Sequence, residues 1–352
     1  MPATFNNRIF YACQAVFICR TGHKPSGGDS TTVHSIHGVQ SVGITTNFSL
    51  DQAFELGQVE IYANREEVAD IELTMEKVID GDNLIYLAAV GSAGTSSIAT
   101  ASNQRADVYL AIYNDGSNAS NNTPLSVVNC SGMYVSSVSY TYPVDGNATE
   151  SCTFVGSDKH WNADTHGTTV EDPTTAWGSA QTNIGGSDTP TSGVVRRTDI
   201  LLSSPTVLPA EVKRQLSDAA AVGPTEGGYH LQNISVSADF GRDNILELGR
   251  FGPYTKYSTF PFEITSEFEV IATSGDLISV SGDHPGLVDR EIVIADNAGT
   301  VIDLGNQNKL SSVSYSGGDT GGGNATLTYS YSTFNTFTVK GGAAQVGYDT
   351  TT

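Results

Sequence analysis

Positive charge is scarce in this sequence: Lys and Arg together number 17 against 38 Asp and Glu, a formal net charge of -21. Such an acidic balance opposes nonspecific binding to phosphate backbones and to anionic lipid, which argues against a conventional DNA-binding domain. Long apolar runs are missing as well. None approaches the roughly 20 residues of a membrane-spanning helix, and the strongest N-terminal candidate, Ile9 to Ile18, is interrupted by Gln14, has little positive charge ahead of it and lacks a small-residue cleavage site. That stretch reads as a strand, so no membrane partner is expected, and assembly in the cytosol is. Cysteine is rare: Cys13 and Cys19 are too far apart along an extended chain to pair, Cys130 and Cys152 can meet only across neighbouring strands, and no compact Cys/His spacing suggests zinc. Four reduced, half-buried thiols are expected. There are only two tryptophans, Trp161 and Trp177, both in one irregular stretch.

Recognisable catalytic and ligand-binding patterns are also lacking. No Gly-rich loop ends in Gly-Lys-Ser/Thr, and Gly317 to Gly323 reads as a flexible hairpin tip. His34 with His37, and His160 with His166, lack the helical spacing that puts two imidazoles on one face, so they read as ordinary loop histidines. Asp80-Gly81-Asp82-Asn83 and Asn114 to Asn118 gather oxygens as calcium loops do, but without the twelve-residue pattern and its closing Glu, and turn chemistry accounts for both. Asn-x-Ser/Thr triplets, as at Asn47, Asn118, Asn147, Asn233 and Asn324, arise by chance in a chain so rich in Asn, Ser and Thr. No catalytic residue, cofactor site or metal site is therefore assigned.

What the sequence does contain is itself, twice. Val39-Gln40-Ser41-Val42-Gly43-Ile44-Thr45-Thr46-Asn47-Phe48, with Asp51 and Glu55-Leu56-Gly57, reappears as Leu231-Gln232-Asn233-Ile234-Ser235-Val236-Ser237-Ala238-Asp239-Phe240, with Asp243 and Glu247-Leu248-Gly249. The offset is 192 throughout, and Tyr62 meets Tyr254 at the same shift. A constant offset over such a run is the mark of a duplicated unit. Further blocks follow after gaps: Glu72 to Glu76 with Glu263 to Glu267, Val135 to Tyr140 with Leu310 to Tyr315, and Gly146 to Thr149 with Gly323 to Thr326. Two pairs of duplicated acids, Glu55 with Glu247 and Glu72 with Glu263, do not suggest a glycosidase, because repeat-related carboxyls occupy equivalent places rather than opposite walls of one cleft.

Short apolar runs separated by Gly, Ser, Thr and Asn, with only 16% charged residues, predict an all-β chain with minor helix. Ile71, Leu73 and Met75 alternate with Glu72, Thr74 and Glu76, so that strand is half buried. A short helix is expected over Asp82 to Val90 with Asp82 as its cap, and another from Pro209, where proline is followed by good helix formers. The second copy has no clear counterpart of the first helix, since Ser281 to Leu287 contains Gly and Pro. These features divide the chain into a first β domain (1–156), an irregular arm or connector (157–190) and a second β domain (191–352).

The phrases Phe54-Glu55-Leu56-Gly57-Gln58-Val59-Glu60-Ile61-Tyr62 and Leu246-Glu247-Leu248-Gly249-Arg250-Phe251-Gly252-Pro253-Tyr254, with the strands Asp70 to Val78 and Phe260 to Thr265 after them, resemble bacteriophage tail tube proteins. The resemblance implies two tandem tail-tube-like β-sandwich or barrel domains, with Phe48, Glu55, Leu56, Gly57 and Tyr62 and their counterparts Phe240, Glu247, Leu248, Gly249 and Tyr254 as structural landmarks. It implies a non-enzymatic virion protein whose stacked rings form the tail tube, the channel for DNA delivery. Its partners would be copies of itself, the tape measure, terminator and baseplate proteins, a sheath where one exists, and passing DNA without specific binding. Because some members of the family fuse two tube domains in one chain, a homotrimer ring with pseudo-sixfold symmetry is expected ahead of a hexamer. The alternatives are a β-sandwich glycan-binding, receptor-binding or decoration module, and a tail terminator or baseplate ring.

Overall fold

The computed structural model describes residues 8–20, 33–91, 95–113, 124–161, 193–213, 230–273, 275–276, 278–282, 287–318 and 323–341. The expected arm lies outside them except at its start, and so do Trp177, His166, the Asn114 to Asn118 turn and most of the Gly317 to Gly323 tip.

In chain order, a 3-10 turn (Tyr11–Cys13) leads into β1 (Gln14–Arg20), β2 (Val33–Ser35), β3 (Val39–Asn47), β4 (Leu50–Phe54), β5 (Ile61–Glu66), β6 (Asp70–Val78), α1 (Ile85–Val90), β7 (Thr95–Ser97), α2 (Ile98–Ala101), β8 (Ala106–Ile112), β9 (Ser126–Pro143), β10 (Thr149–Gly156) and β11 (Asp158–Trp161). The second half has β12 (Ile200–Leu201), α3 (Ala210–Lys213), β13 (Leu231–Asp239), β14 (Arg242–Ile245), β15 (Thr255–Ser258), β16 (Glu263–Ile271), β17 (Val293–Asp296), β18 (Val301–Asp303), β19 (Lys309–Ser316), β20 (Thr326–Phe334) and β21 (Thr338–Lys340). The chain is all-β with minor helix, as expected, and of the expected sandwich or barrel forms the described sheets do not close into a barrel.

The duplication is visible as strand order. The first copy contributes β3-β6-β10-β9 and the second β13-β16-β20-β19, and antiparallel pairing of β9 with β13 joins them head to tail into one run of eight strands. Local irregularities repeat too. A bulge falls at Gln40 between β3 and β6 and at Gln232 between β13 and β16, and another at Ser136 between β9 and β10 and at Ser311 between β19 and β20. Bulges fix register and local twist, so their retention in both copies marks the two halves of the sheet as equivalent. Gly57 and Gly249, at equivalent turns, have φ of 97° and 85°, a left-handed backbone that a side chain would strain.

One matched block needs correction. Ile44 pairs with Leu73 and Val236 with Ser266, while Val78 lies opposite Thr149 and Ile271 opposite Thr326, so β6 maps onto β16 with an offset of 193. Asp70 therefore corresponds to Glu263 and Glu72 to Thr265, two residues away from the match of Glu72 to Glu76 with Glu263 to Glu267. Both strands alternate acid and apolar residues with period two, and a slip of two leaves that pattern intact.

Beneath the eight strands lies a continuous apolar core built from both copies, including Leu73, Met75, Val138, Phe154, Val236, Phe268 and Tyr331. β9 continues past this sheet to pair with β8 and β11, and β8 pairs with β1. The five strands β12-β17-β18-β21-β7 form a separate sheet that takes β7 from the first copy. None of the four cysteines is in a disulfide, and all are buried.

Helix α1 starts later than expected, with Leu84 at its N-cap and no side-chain cap. Asp82 is thus not the cap. The carboxylate of Glu150, on the neighbouring strand β10, accepts the N–H groups of Ile85 (2.6 Å) and Tyr86 (3.0 Å) and the hydroxyl of Tyr140 (2.9 Å). Every residue of α1 is buried, so water cannot satisfy those first N–H groups and a buried acceptor must.

Candidate functional site

Because side chains alternate along a strand, the eight-stranded sheet has a second face opposite the core. Reading across it, Ser41, Glu76, Ser151, Ser139, Ser237, Thr265 and Ser332 lie side by side on successive strands. A neighbouring row runs Thr149, Thr141, Ser235, Glu267, Ser330, Ser312. Small hydroxyls dominate and bond across the strands, Ser237 Oγ to Thr265 Oγ1 at 2.7 Å and Ser330 Oγ to Glu267 Oε1 at 3.2 Å. Charge comes from Asp70, Glu72 and Glu76 on β6, Asp239 on β13, and Glu263, Glu267 and Glu269 on β16. Among the described residues of these strands, the cation on this face is Lys309, at the rim, with Asp289 at 3.7 Å. The face is hydroxyl-rich and acidic, a balance that disfavours polyanions.

The run ends in two edges. Among the described residues, strand β3 pairs only with β6 and β19 only with β20, so each ends the run as an edge of backbone N–H and C=O groups.

Next to this face stand two hairpins, β4–β5 and β14–β15. Their registers are the same at the 192 offset: Leu50 faces Glu66 and Arg242 faces Ser258, and Gln52 faces Asn64 as Asn244 faces Lys256. The landmark residues lie on them. Glu55, Leu56 and Gly57, like Glu247, Leu248 and Gly249, form exposed turns, with Leu56 and Leu248 fully in solvent, and Tyr62 and Tyr254 are exposed on the returning side. Val59, Phe54, Leu246 and Phe251 add exposed apolar surface. Between the hairpins is a cleft of about 500 Å³ lined by residues that include Asp51, Arg65, Glu67, Asp70, Arg250 and Phe251.

The landmark phenylalanines differ. Phe240 is 1% exposed, packed on Tyr86 of α1 (ring centroids 6.4 Å) and on Phe262 (5.4 Å), whereas Phe48 is 72% exposed. Burying a Phe stabilises by roughly 1.5–3 kcal/mol, so equivalent sequence positions carry unequal energies. The cause is the internal junction. Phe240 N donates to Ser136 O (2.9 Å), and the hairpin after it is clamped on the first copy: Arg242 Nε donates to Val135 O (2.8 Å) with its guanidinium over the Tyr134 and Phe240 rings, Lys256 pairs with Asp70 (3.1 Å), and Tyr134 bonds Thr255 (2.9 Å). Burial brings the Arg242 pKa down to about 10, since removal from water disfavours its charge.

The remaining candidates resolve structurally. Asp80 Oδ1 accepts from buried Lys77 Nζ (3.0 Å) and from Asp82 N (3.1 Å), so its carboxylate is already committed to an ammonium and a turn. His160 pairs with Asp158 (2.5 Å) on β11, and His34 and His37 lie in β2 and the turn after it. Glu55 and Glu247 are exposed turn residues of separate hairpins, and Glu72 lies on the open face. Sequence reasoning missed the buried Lys77–Glu150 cross-strand pair. The available signal was a Lys in an otherwise apolar core register of β6.

No protein-family model matches this chain, and no curated protein matches it. Among solved structures it is similar to a chain of the anti-feeding prophage baseplate (13% identity, TM-score 0.32, 45% of this chain and 97% of that one). It is likewise similar to a chain of the anti-feeding prophage tube-terminating cap (13%, TM-score 0.31, 46% and 98%) and to one of the sheath–tube complex of an extracellular contractile injection system (13%, TM-score 0.30, 46% and 95%). At this identity and TM-score these likenesses set neither a family nor a function.

Proposed function

We propose that this chain is a non-enzymatic virion structural protein that self-assembles into rings, and that stacked rings form the tube of a phage tail through which DNA passes. The observation that carries the proposal is the eight-stranded run: among the described residues, one face is sealed by an apolar core, the other is hydroxyl-rich and nearly free of cations, and both ends are edges. A sheet of this kind is a wall segment. Curved and closed with other copies, it would surround a channel whose carboxylates keep phosphates from adhering during transit. Closure would also remove the edges, which are otherwise sites of uncontrolled association.

In this reading the hairpins, with exposed Leu56, Val59, Leu248 and Phe251, stack one ring on the next, and three chains close each ring. The ends of the tube would meet the tape measure, terminator and baseplate proteins. Electron microscopy of the purified protein tests the proposal: rings or tubes with a central channel are expected, and discrete particles with affinity for glycans would replace it with a binding module.

A further inference from the structure

We infer that β3 of a second copy of this chain pairs with β19 in the register of the internal β9·β13 junction, but without that junction's clamp, so that an assembly has two kinds of seam. The inference rests on the ring reading above and goes beyond it by naming the partner strand, the register and the difference in strength.

The internal junction is a template already present in the chain. β3 is the repeat equivalent of β13, with an offset of 192 and a shared bulge, and β19 is the equivalent of β9, with an offset of 175 and a shared bulge. At the internal junction Ser235 pairs with Thr141, Val236 with Tyr140, Ser237 with Ser139 and Asp239 with Ser137. Transposing both strands puts Gly43 opposite Ser316, Ile44 opposite Tyr315, Thr45 opposite Ser314 and Asn47 opposite Ser312. In that register the alternation of faces is kept: Thr45, Ser312 and Ser314 extend the hydroxyl rows, Asn47 adds an amide to them, and Ile44 meets Tyr315 on the core side. A one-residue slip would reverse every side chain. A second observation agrees. Phe48 and Tyr315 are 72% and 62% exposed in the single chain, while their equivalents Phe240 and Tyr140 at the internal junction are 1% and 0%.

The clamp does not transpose. Arg242 becomes Leu50, Lys256 becomes Asn64, Tyr134 becomes Lys309 and Asp70 becomes Glu263. Both cations that seal the internal hairpin are absent from the hairpin that would seal the seam between chains, and Glu263 is left waiting for one. Seams between chains are therefore held by the backbone ladder and apolar burial, and they open first.

Paired cysteines and one gain-of-function variant test this. Thr45→Cys with Ser314→Cys should give oxidised covalent multimers, Ser237→Cys with Ser139→Cys should crosslink within one chain, and Thr45→Cys with Ser312→Cys, two residues out of register, should give neither. Asn64→Lys, opposite Glu263, should restore the missing ion pair and lower the concentration at half assembly by about two- to fivefold, an effect that falls with added salt. Rings that form by microscopy but crosslink through the offset pair, or that Asn64→Lys weakens, would overturn the register or the seam difference and leave the ring reading intact. A chain that forms no rings and no covalent multimers overturns both.

Discussion

Lys77 and Glu150 face each other across β6 and β10, inside the core, where the second copy has Val270 opposite Leu327. Two buried ionisable groups in place of an apolar pair are costly to install, and the helix explains them: α1 has no side-chain cap of its own, and Glu150 supplies the acceptors its first N–H groups need. That buried carboxylate then calls for a nearby ammonium, which Lys77 provides while also bonding Asp80 and Asn83 O (3.0 Å each). Lys77→Met should destabilise the chain by about 3–5 kcal/mol, because it leaves Glu150 and Asp80 buried without a cation. Combining it with Glu150→Leu should cost less than the two single changes added, by about 1–3 kcal/mol. Urea unfolding midpoints check both. Burial pushes the Glu150 pKa up despite its hydrogen bonds and Lys77. A carboxyl with a raised folded pKa gives stability that is present below its unfolded pKa and lost as pH rises through the folded value. Relative to Glu150→Gln, the native chain should therefore lose stability as pH climbs from the ordinary glutamate range toward neutrality, and equal pH slopes for the two proteins would count against it.

At the scale of elements, the proposed stacking role of the hairpins would separate assembly from folding. Their turn leucines, Leu56 and Leu248, lie fully in solvent and contribute nothing to the core. Leu56→Ser with Leu248→Ser should thus change chain stability by under about 0.5 kcal/mol while yielding single rings that do not stack, as sedimentation and microscopy would record. The hairpins were also the most legible part of the sequence, since Phe48 to Tyr62 and Phe240 to Tyr254 keep one offset without a gap and the structure gives them one register. Legibility fell where the pattern is degenerate or the determinant is distant. The β6/β16 match slipped by two residues because alternating acids and apolar residues look alike after such a shift. Asp82 looked like a cap on local grounds, but a residue from β10 does that work, and strand pairing cannot be read from the helix's own neighbourhood. The different burial of Phe48 and Phe240 was invisible because it depends on what lies across a junction. The open face was readable only in fragments: Ser and Thr look like loop composition until pairing sets them in rows.

For the molecule as a whole, strand geometry limits the ring. Neighbouring strands lie about 4.8 Å apart, and strands tilted by about 40° occupy about 6.3 Å of circumference each. Three chains with eight strands apiece would close a wall about 48 Å across between backbones, or about 38 Å after inward side chains, which would admit one DNA duplex with room for water. Six chains in the same single layer would double the backbone diameter to about 96 Å, too wide to guide one duplex. In the proposed tube, the charge of the face would set how a duplex moves. Glu72 and Glu76 on β6 and Glu267 and Glu269 on β16 face the same side of the wall, so assembled rings should not retain duplex DNA at physiological salt, and replacing these four with lysine should create retention that weakens steeply as salt rises. Stoichiometry is the sharper measurement, since it needs no ligand. The duplicated strand order β3-β6-β10-β9 and β13-β16-β20-β19 gives each chain two equivalent sectors, so a threefold ring has six sectors and two alternating kinds of seam. With 37.0 kDa per chain, native mass spectrometry of rings should give a species near 111 kDa that dissociates into single chains, never into half-chains. A ring near 222 kDa containing all six chains in one layer would eliminate the threefold arrangement and require one copy of each pair to leave the channel wall.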